Sequence, residues 1–354
     1  MRTAVVFAVA VLVSSALGQP DPQREWMVVR DTFPEFRGVP DSVTVARDMA
    51  PGVGIFEYCR GPTGFHCPLA DVNVSSSVQV ALADACDSVM YFSRLSPWCR
   101  WDDPVRIPFP QPDPFCPSYN IAAQRSGDDV CLTWVYSPAG FSQKPGFFRI
   151  STDGGVNWGP STQLDWPDAY GGDTLASFHS SSLFPYYDKD GDLRIVAAVG
   201  PLVNDTNFIL PAQIWHWKDE ERSLVHRAEP ESLRAPVGFN ALIAGRPSLG
   251  QMVDDDFFCV WEEFEGTDVE PGPPARLRAV IKTSYSPDGQ YWSPAMLLSD
   301  SGHGVSRRFP CIVDQTADDT IRVVYIVDQH AGFAAFGEGP ATDNPIVVLK
   351  FSPI

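Results

Sequence analysis

Short runs of alternating apolar and polar residues recur along the chain, and none carries the 3.6-residue periodicity of an amphipathic helix. Such runs, separated by Pro-, Gly- and Asp-rich stretches, predict strands joined by turns. Four units align with one another. Each opens on an inner-strand segment: Cys116–Ile121, His179–Leu183, Arg246–Leu249 and Arg308–Ile312. An Asp-bearing turn follows in every unit, and then a strongly apolar second strand: Val130–Tyr136, Leu193–Val199, Phe257–Trp261 and Ile321–Val327. The starts recur at roughly sixty-odd residues, the length of one four-stranded propeller blade with generous loops.

Upstream the pattern is less regular. Strands are expected at Val43–Ala46, Gly54–Cys59, Val78–Leu82 and Ser88–Ser93, which make one long blade or parts of two. A further short strand, Glu25–Arg30, is a candidate to close a ring by joining the last blade. The expected fold is therefore all-β, a propeller of five or six four-stranded antiparallel blades. Residues 19–354 form one domain in this reading.

Within this pattern lie two related turns, Ser151-Thr-Asp153-Gly-Gly155-Val-Asn-Trp158 and Ser286-Pro-Asp288-Gly289-Gln-Tyr-Trp292, the second one residue shorter. Asp and Ser side chains accept from nearby backbone N–H groups, Gly supplies positive φ, and Trp packs beneath the turn. The spacing Ser-x-Asp-x-Gly-x-x-Trp resembles the Asp box, the neuraminidase repeat of sialidase-like β-propellers, and of the two blade counts that resemblance implies six. The box is structural and occurs in enzymes and binding modules alike, so it implies a fold and leaves the chemistry open.

The chain begins with Arg2, an apolar segment Ala4–Val13 and small residues up to Gly18. This is the pattern of a secretory signal peptide, residues 1–18, so the protein is expected to be secreted or periplasmic, with no membrane span. Formal charge is −18, and loss of Arg2 would bring it to −19. That balance opposes nucleic acid and anionic membranes, so an acidic ligand would need a local group of arginines. Eight cysteines in an exported chain permit disulfides, with Cys59–Cys67 and Cys86–Cys99 close enough in sequence to form small loops, while Cys131 and Cys259 read as buried apolar residues. Asp188-Lys-Asp-Gly-Asp192 opens like a calcium loop, but Val199 stands where an EF-hand needs Glu, and a hairpin turn is the better reading. No metal or other cofactor is expected.

In a propeller, the start of each inner strand and the end of the second strand emerge on one face. Arg246, Arg307, Arg308, Glu262, Glu263, Asp328, His330 and His179 fall there, with Tyr136 and Asp173 nearby. The two turns fall on the opposite face, which excludes Asp153 and Asp288 from catalysis. Resemblance to sialidases implies an arginine cluster for a substrate carboxylate, because guanidinium grips carboxylate through parallel hydrogen bonds. Arg246 and Arg308 take two of those places. Arg106, in Val-Arg-Ile-Pro, is similar to the family's first-arginine motif. The resemblance further implies a tyrosine nucleophile with a glutamate partner and an aspartate acid/base. Glu262 or Glu263, Tyr325 and Asp328 are the candidates, with His330 beside the ligand. Each has a plainer alternative: an arginine bonding neighbouring carbonyls, a solvated strand end, or a tyrosine packed between blades. Trp215 and Trp217 could offer a sugar-stacking platform or split between core and surface. Two functions follow, a sialidase-type glycosidase or a propeller that binds a glycan, glycoconjugate or protein without turnover; a monomer is expected.

Overall fold

The structure is a computed structural model. It describes residues 60–61, 64–65, 79–86, 89–95, 105–108, 118–135, 146–164, 166, 175–203, 206–238, 241–252, 255–272, 274–299, 304–312, 320–332, 334, 337–340, 342 and 344–351. The signal segment, the closing strand Glu25–Arg30, Tyr136, Asp173 and most of the disulfide candidates lie outside them.

All regular structure among the described residues is β. A hairpin, β1 (Arg60–Gly61) and β2 (Gly64–Phe65), precedes a three-stranded sheet of β3 (Gln79–Cys86), β4 (Val89–Leu95) and β5 (Val105–Pro108). The first blade is β6 (Ser118–Ala123), β7 (Val130–Val135), β8 (Gly146–Ser151) and β9 (Thr162–Leu164). The second comprises β10 (Leu175–Tyr187), β11 (Leu193–Val203), β13 (Ala212–Lys218) and β14 (Glu221–Ala228), with the short β12 (Thr206–Asn207) also on β11. The third is β15 (Ala244–Gln251), β16 (Phe257–Glu270), β17 (Arg276–Ser286) and β18 (Met296–Leu297). The fourth keeps three strands: β19 (Ser306–Ile312), β20 (Ile321–Asp328) and β21 (Ile346–Phe351). Every pairing is antiparallel and, apart from β11 with β13, joins strands consecutive in the chain, so each blade is a meander.

The second strands explain why the blades stack. In β11, Ile195, Ala197 and Val199 enter the core shared with the first blade, while Val196 and Ala198 enter the core shared with the third. In β16, Cys259 and Trp261 face the second blade and Phe258 and Val260 face the fourth. A strand apolar on both faces needs a sheet on each side, and consecutive blades provide it. The four aligned repeats are thus four consecutive blades of a β-propeller. The count of six, and its alternative of five, is corrected: four blades are seen among the described residues, and the upstream stretch contributes a three-stranded sheet and a hairpin.

The two Ser-x-Asp turns join third to fourth strands, β8 to β9 and β17 to β18. Ser151 Oγ donates to Asp153 Oδ1 at 2.8 Å and accepts from Gly155 N at 2.8 Å, while Trp158 Nε1 donates to Gly155 O at 3.0 Å. Ser286, Asp288, Gly289 and Trp292 repeat this set with one residue fewer. Each Trp also rests on the preceding sheet: Trp158 meets Phe92 edge-on at 5.3 Å and Trp292 meets His216 at 5.7 Å. The turns therefore pin one sheet to the next.

Cys131 and Cys259 are buried thiols, and burial pushes the Cys131 thiol up. Among the described residues Cys131, Cys259 and Cys311 form no disulfide. The Asp188 turn is a hairpin: Asp188 Oδ1 accepts from the backbone of Asp190 and Asp192, and Oδ2 accepts from Arg194 Nε at 2.7 Å. Trp215 and Trp217 are not a platform. Two residues apart on β13, both pack into the core shared with the first blade. Among the described residues no helix is long and apolar enough to cross a membrane.

Candidate functional site

Register brings the expected face together. Gly245 pairs with Glu262, Ala244 with Glu263 and Ser306 with Asp328, so strand starts of the third and fourth blades lie beside the outgoing second strands. Both first strands then break register at one place, between Gly245 and Ser248 and between Arg308 and Cys311. Each break holds an X-Pro step whose first residue has positive φ: Arg246 at 52° and Phe309 at 56°.

This bulge corrects one expectation. Arg246 and Arg308 do not occupy equivalent positions. Arg246 matches Phe309, and Arg308 matches Gly245, one residue before the bulge. The two arginines nevertheless converge, because the bulge turns Arg246 toward the place that Arg308 reaches from the next blade.

They converge on Glu262. Arg308 donates from Nε to Oε2 at 3.0 Å and from Nη2 to Oε1 at 3.3 Å, Arg246 Nη1 donates to Oε1, and Phe309 N donates to Oε2 at 3.0 Å. The Glu262 and Arg308 side chains are both 1% exposed, so this is a buried charge cluster rather than a surface pair. Burial pushes the Glu262 carboxyl up, but the two guanidiniums and the Phe309 N–H outweigh it and hold it below the usual range. Burial lowers Arg246 against the pull of Glu262. Arg246 and Arg308 also lie at the Phe309 ring, 4.7 and 5.2 Å from its centroid, and Arg308 lies 4.9 Å from that of Phe264.

Glu263 points the other way, as its neighbour on a strand must. It faces the second blade, where Oε1 accepts from Lys282 Nζ at 2.7 Å, and Oε2 accepts from Trp261 Nε1 at 2.9 Å and lies 3.0 Å from His226 Nε2. Burial raises this carboxyl, and His226 and Lys282 more than reverse that, leaving it at about 2. Glu262 and Glu263 therefore serve different blade interfaces and cannot share one site.

Asp328 ends β20 at the Arg308 side. Burial pushes its carboxyl up from the ordinary value, against the His330 N–H at 3.1 Å and the charge of Arg308. His330 sits beyond it, its Nδ1 2.7 Å from Glu270 Oε1, and Ala331 N donates to Glu270 Oε2 at 2.7 Å. Arg278 completes this group, donating to Asp268 at 3.2 Å and Glu270 at 3.4 Å. Tyr325 is 6% exposed in the core between third and fourth blades, as the packed reading has it. Arg106 lies in β5, paired with Tyr91 on β4. Among the described residues no cluster of His, Cys, Asp and Glu could hold a metal ion.

Sequence reasoning missed Phe309, Lys282, His226, Arg278 and Glu270. The first had a signal, a bulky residue before proline in the place where the sibling repeat has arginine; the others had none.

No known family matches the chain, and no curated protein does. Among solved structures, the endo-arabinase from Bacteroides thetaiotaomicron is similar at 13% identity over 82% of this chain and 93% of that one, with a TM-score of 0.46. The Penicillium chrysogenum α-L-arabinanase complexed with arabinobiose is similar at 11% identity over 89% and 95%, TM-score 0.40. The GH93 α-L-arabinofuranosidase of Fusarium graminearum with arabinobiose is similar at 11% identity over 78% and 79%, TM-score 0.42. Likeness at this level decides nothing about what this chain binds.

Proposed function

We propose that the protein is an exported propeller acting on a glycan at the face that carries Arg246, Arg308 and Asp328, as a glycoside hydrolase of sialidase type. One observation carries the reading. Two guanidiniums share a single carboxylate, and beside them Asp328 is a carboxyl that burial drives toward its protonated form. Two carboxyl groups whose surroundings push them apart, one ionised and one inclined to hold its proton, are the pair that glycosidic cleavage needs. Asp328 would give its proton to the departing sugar oxygen. The excess of cation over anion at Glu262 suits a sugar bearing a carboxylate.

A second reading has its own support. Glu262 already occupies both guanidiniums, as a substrate carboxylate would, which favours a module that binds a glycan or a protein without turnover. The experiment that separates them offers the mature protein fluorogenic sialoside, arabinofuranoside, xyloside and galactoside. Cleavage of one, lost in Asp328→Asn while binding is kept, supports the hydrolase; glycan binding with no cleavage supports the module.

A further inference from the structure

Phe309 is an anomaly on three counts. Its φ of 56° lies in the left-handed region, which a bulky residue rarely adopts, and it precedes a proline, which narrows its choices further. Its side chain is large and apolar yet 39% exposed, while its strand neighbours Arg308 and Pro310 are buried. Its ring stands against two guanidiniums, and its backbone N–H is spent on the carboxylate they share. The neighbouring blade fills the same slot with Arg246, so the bulge itself does not demand an aromatic ring. Glycine would satisfy the backbone there without strain.

Strain of this kind persists where the surroundings enforce it, and it collects at ligand sites. Here the enforcing group is Glu262, which fixes the Phe309 N–H and both arginines at once. The result is a rigid, part-exposed aromatic surface backed by two guanidiniums that are themselves held by Glu262: an apolar ring for the C–H face of a pyranose or furanose. Among the described residues, the other large exposed apolar side chains include Tyr285, Tyr291, Met296 and Leu297, on the outer strands and turn of the third blade. Phe309 stands on an inner strand, at the arginine cluster.

We infer that Phe309 is the sugar-stacking residue of this site and selects for ligands that present an unsubstituted ring face. The inference rests on the proposed glycan reading. It is tested by titrating the mature protein with sialyllactose, arabinobiose, xylobiose and galactobiose, then repeating with Phe309→Gly, Phe309→Leu and Phe309→Trp. A purely structural Phe309 would make Phe309→Gly, which relieves the backbone, bind as well as wild type. A stacking Phe309 would weaken binding at least tenfold in both Phe309→Gly and Phe309→Leu, with the melting temperature of Phe309→Gly equal to or above that of wild type, and Phe309→Trp would retain affinity. If wild type binds a sugar and both small variants bind it equally, the inference falls and the glycan reading stands. If wild type binds none of the four, both fall.

Discussion

Arg308 Nε lies 3.0 Å from Glu262 Oε2, across the boundary between the fourth and third blades, with both side chains excluded from solvent. A charge pair in that setting joins two sheets that also share an apolar core and two backbone-to-serine hydrogen bonds, Ile312 N to Ser248 Oγ at 3.2 Å and Ala279 N to Ser306 Oγ at 3.0 Å, and it fixes how far each can slide along the other.

Breaking that cluster from one side is therefore costly. Glu262→Gln leaves two buried guanidiniums facing a neutral amide, and a loss of about 3–5 kcal/mol is expected, the usual result of orphaning a buried charge. Urea unfolding measures it. A double variant, Glu262→Leu with Arg308→Met, should lose less than the sum of its single changes.

Acid should weaken the fold through His216. Arg194 can only donate, so its Nη1 at 3.4 Å requires a bare His216 Nε2, and Nδ1–H then donates to Ser223 Oγ at 3.3 Å. Burial, and then Arg194, hold the imidazole down at about 3. The unfolded chain takes up a proton near the ordinary histidine value of about 6.5 and the folded one does not. Stability is thus full above that value and falls as pH drops toward 3. Chemical denaturation of wild type and His216→Gln across this range checks the sign; the slope between these limits should flatten in the variant.

Gly289→Ala should be among the most damaging small substitutions. Its φ is 78°, and an added Cβ would sit 2.7 Å from Arg194 Nη1 and 2.9 Å from His216 Cε1. Backbone strain alone costs roughly 1 kcal/mol, and the collision adds to it. Thermal melting should show a clear fall, and an exposed glycine such as Gly272, with nothing near its Cβ, provides the control.

Glu270 should govern the segment after β20. It accepts from Ala331 N at 2.7 Å and meets His330 and Arg278, so Glu270→Ala removes the tie between residues 330–331 and the long β16–β17 hairpin. Amide exchange at Ala331 should rise at least tenfold, while exchange in β11 stays as in wild type.

Much of the fold was legible because second strands such as Leu193–Val199 are apolar on both faces, a property that local pattern reports directly. The extension of β16 to Glu270 was not, since Glu262–Glu270 is rich in charge and reads as loop. The charge has partners only because β17, the fourth blade and residues 330–331 come to meet it. Arg246, Arg308 and Glu262, singled out from strand starts and ends, meet in the structure, with Asp328 at the Arg308 side. That Glu262 and Glu263 part company follows from strand alternation and could have been stated from sequence; that Glu263 meets His226 and Lys282 depends on packing between blades. The mistaken equivalence of Arg246 with Arg308 came from matching residue type, where matching the proline would have found the bulge.

Because Arg246 and Phe309 hold one slot in successive repeats, that slot is tied to the wall between the third and fourth blades in two different ways. At Phe309 the tie is a backbone N–H, which any residue but proline supplies, so the side chain is open to exchange; at Arg246 the tie is the guanidinium itself, and an exchange breaks it.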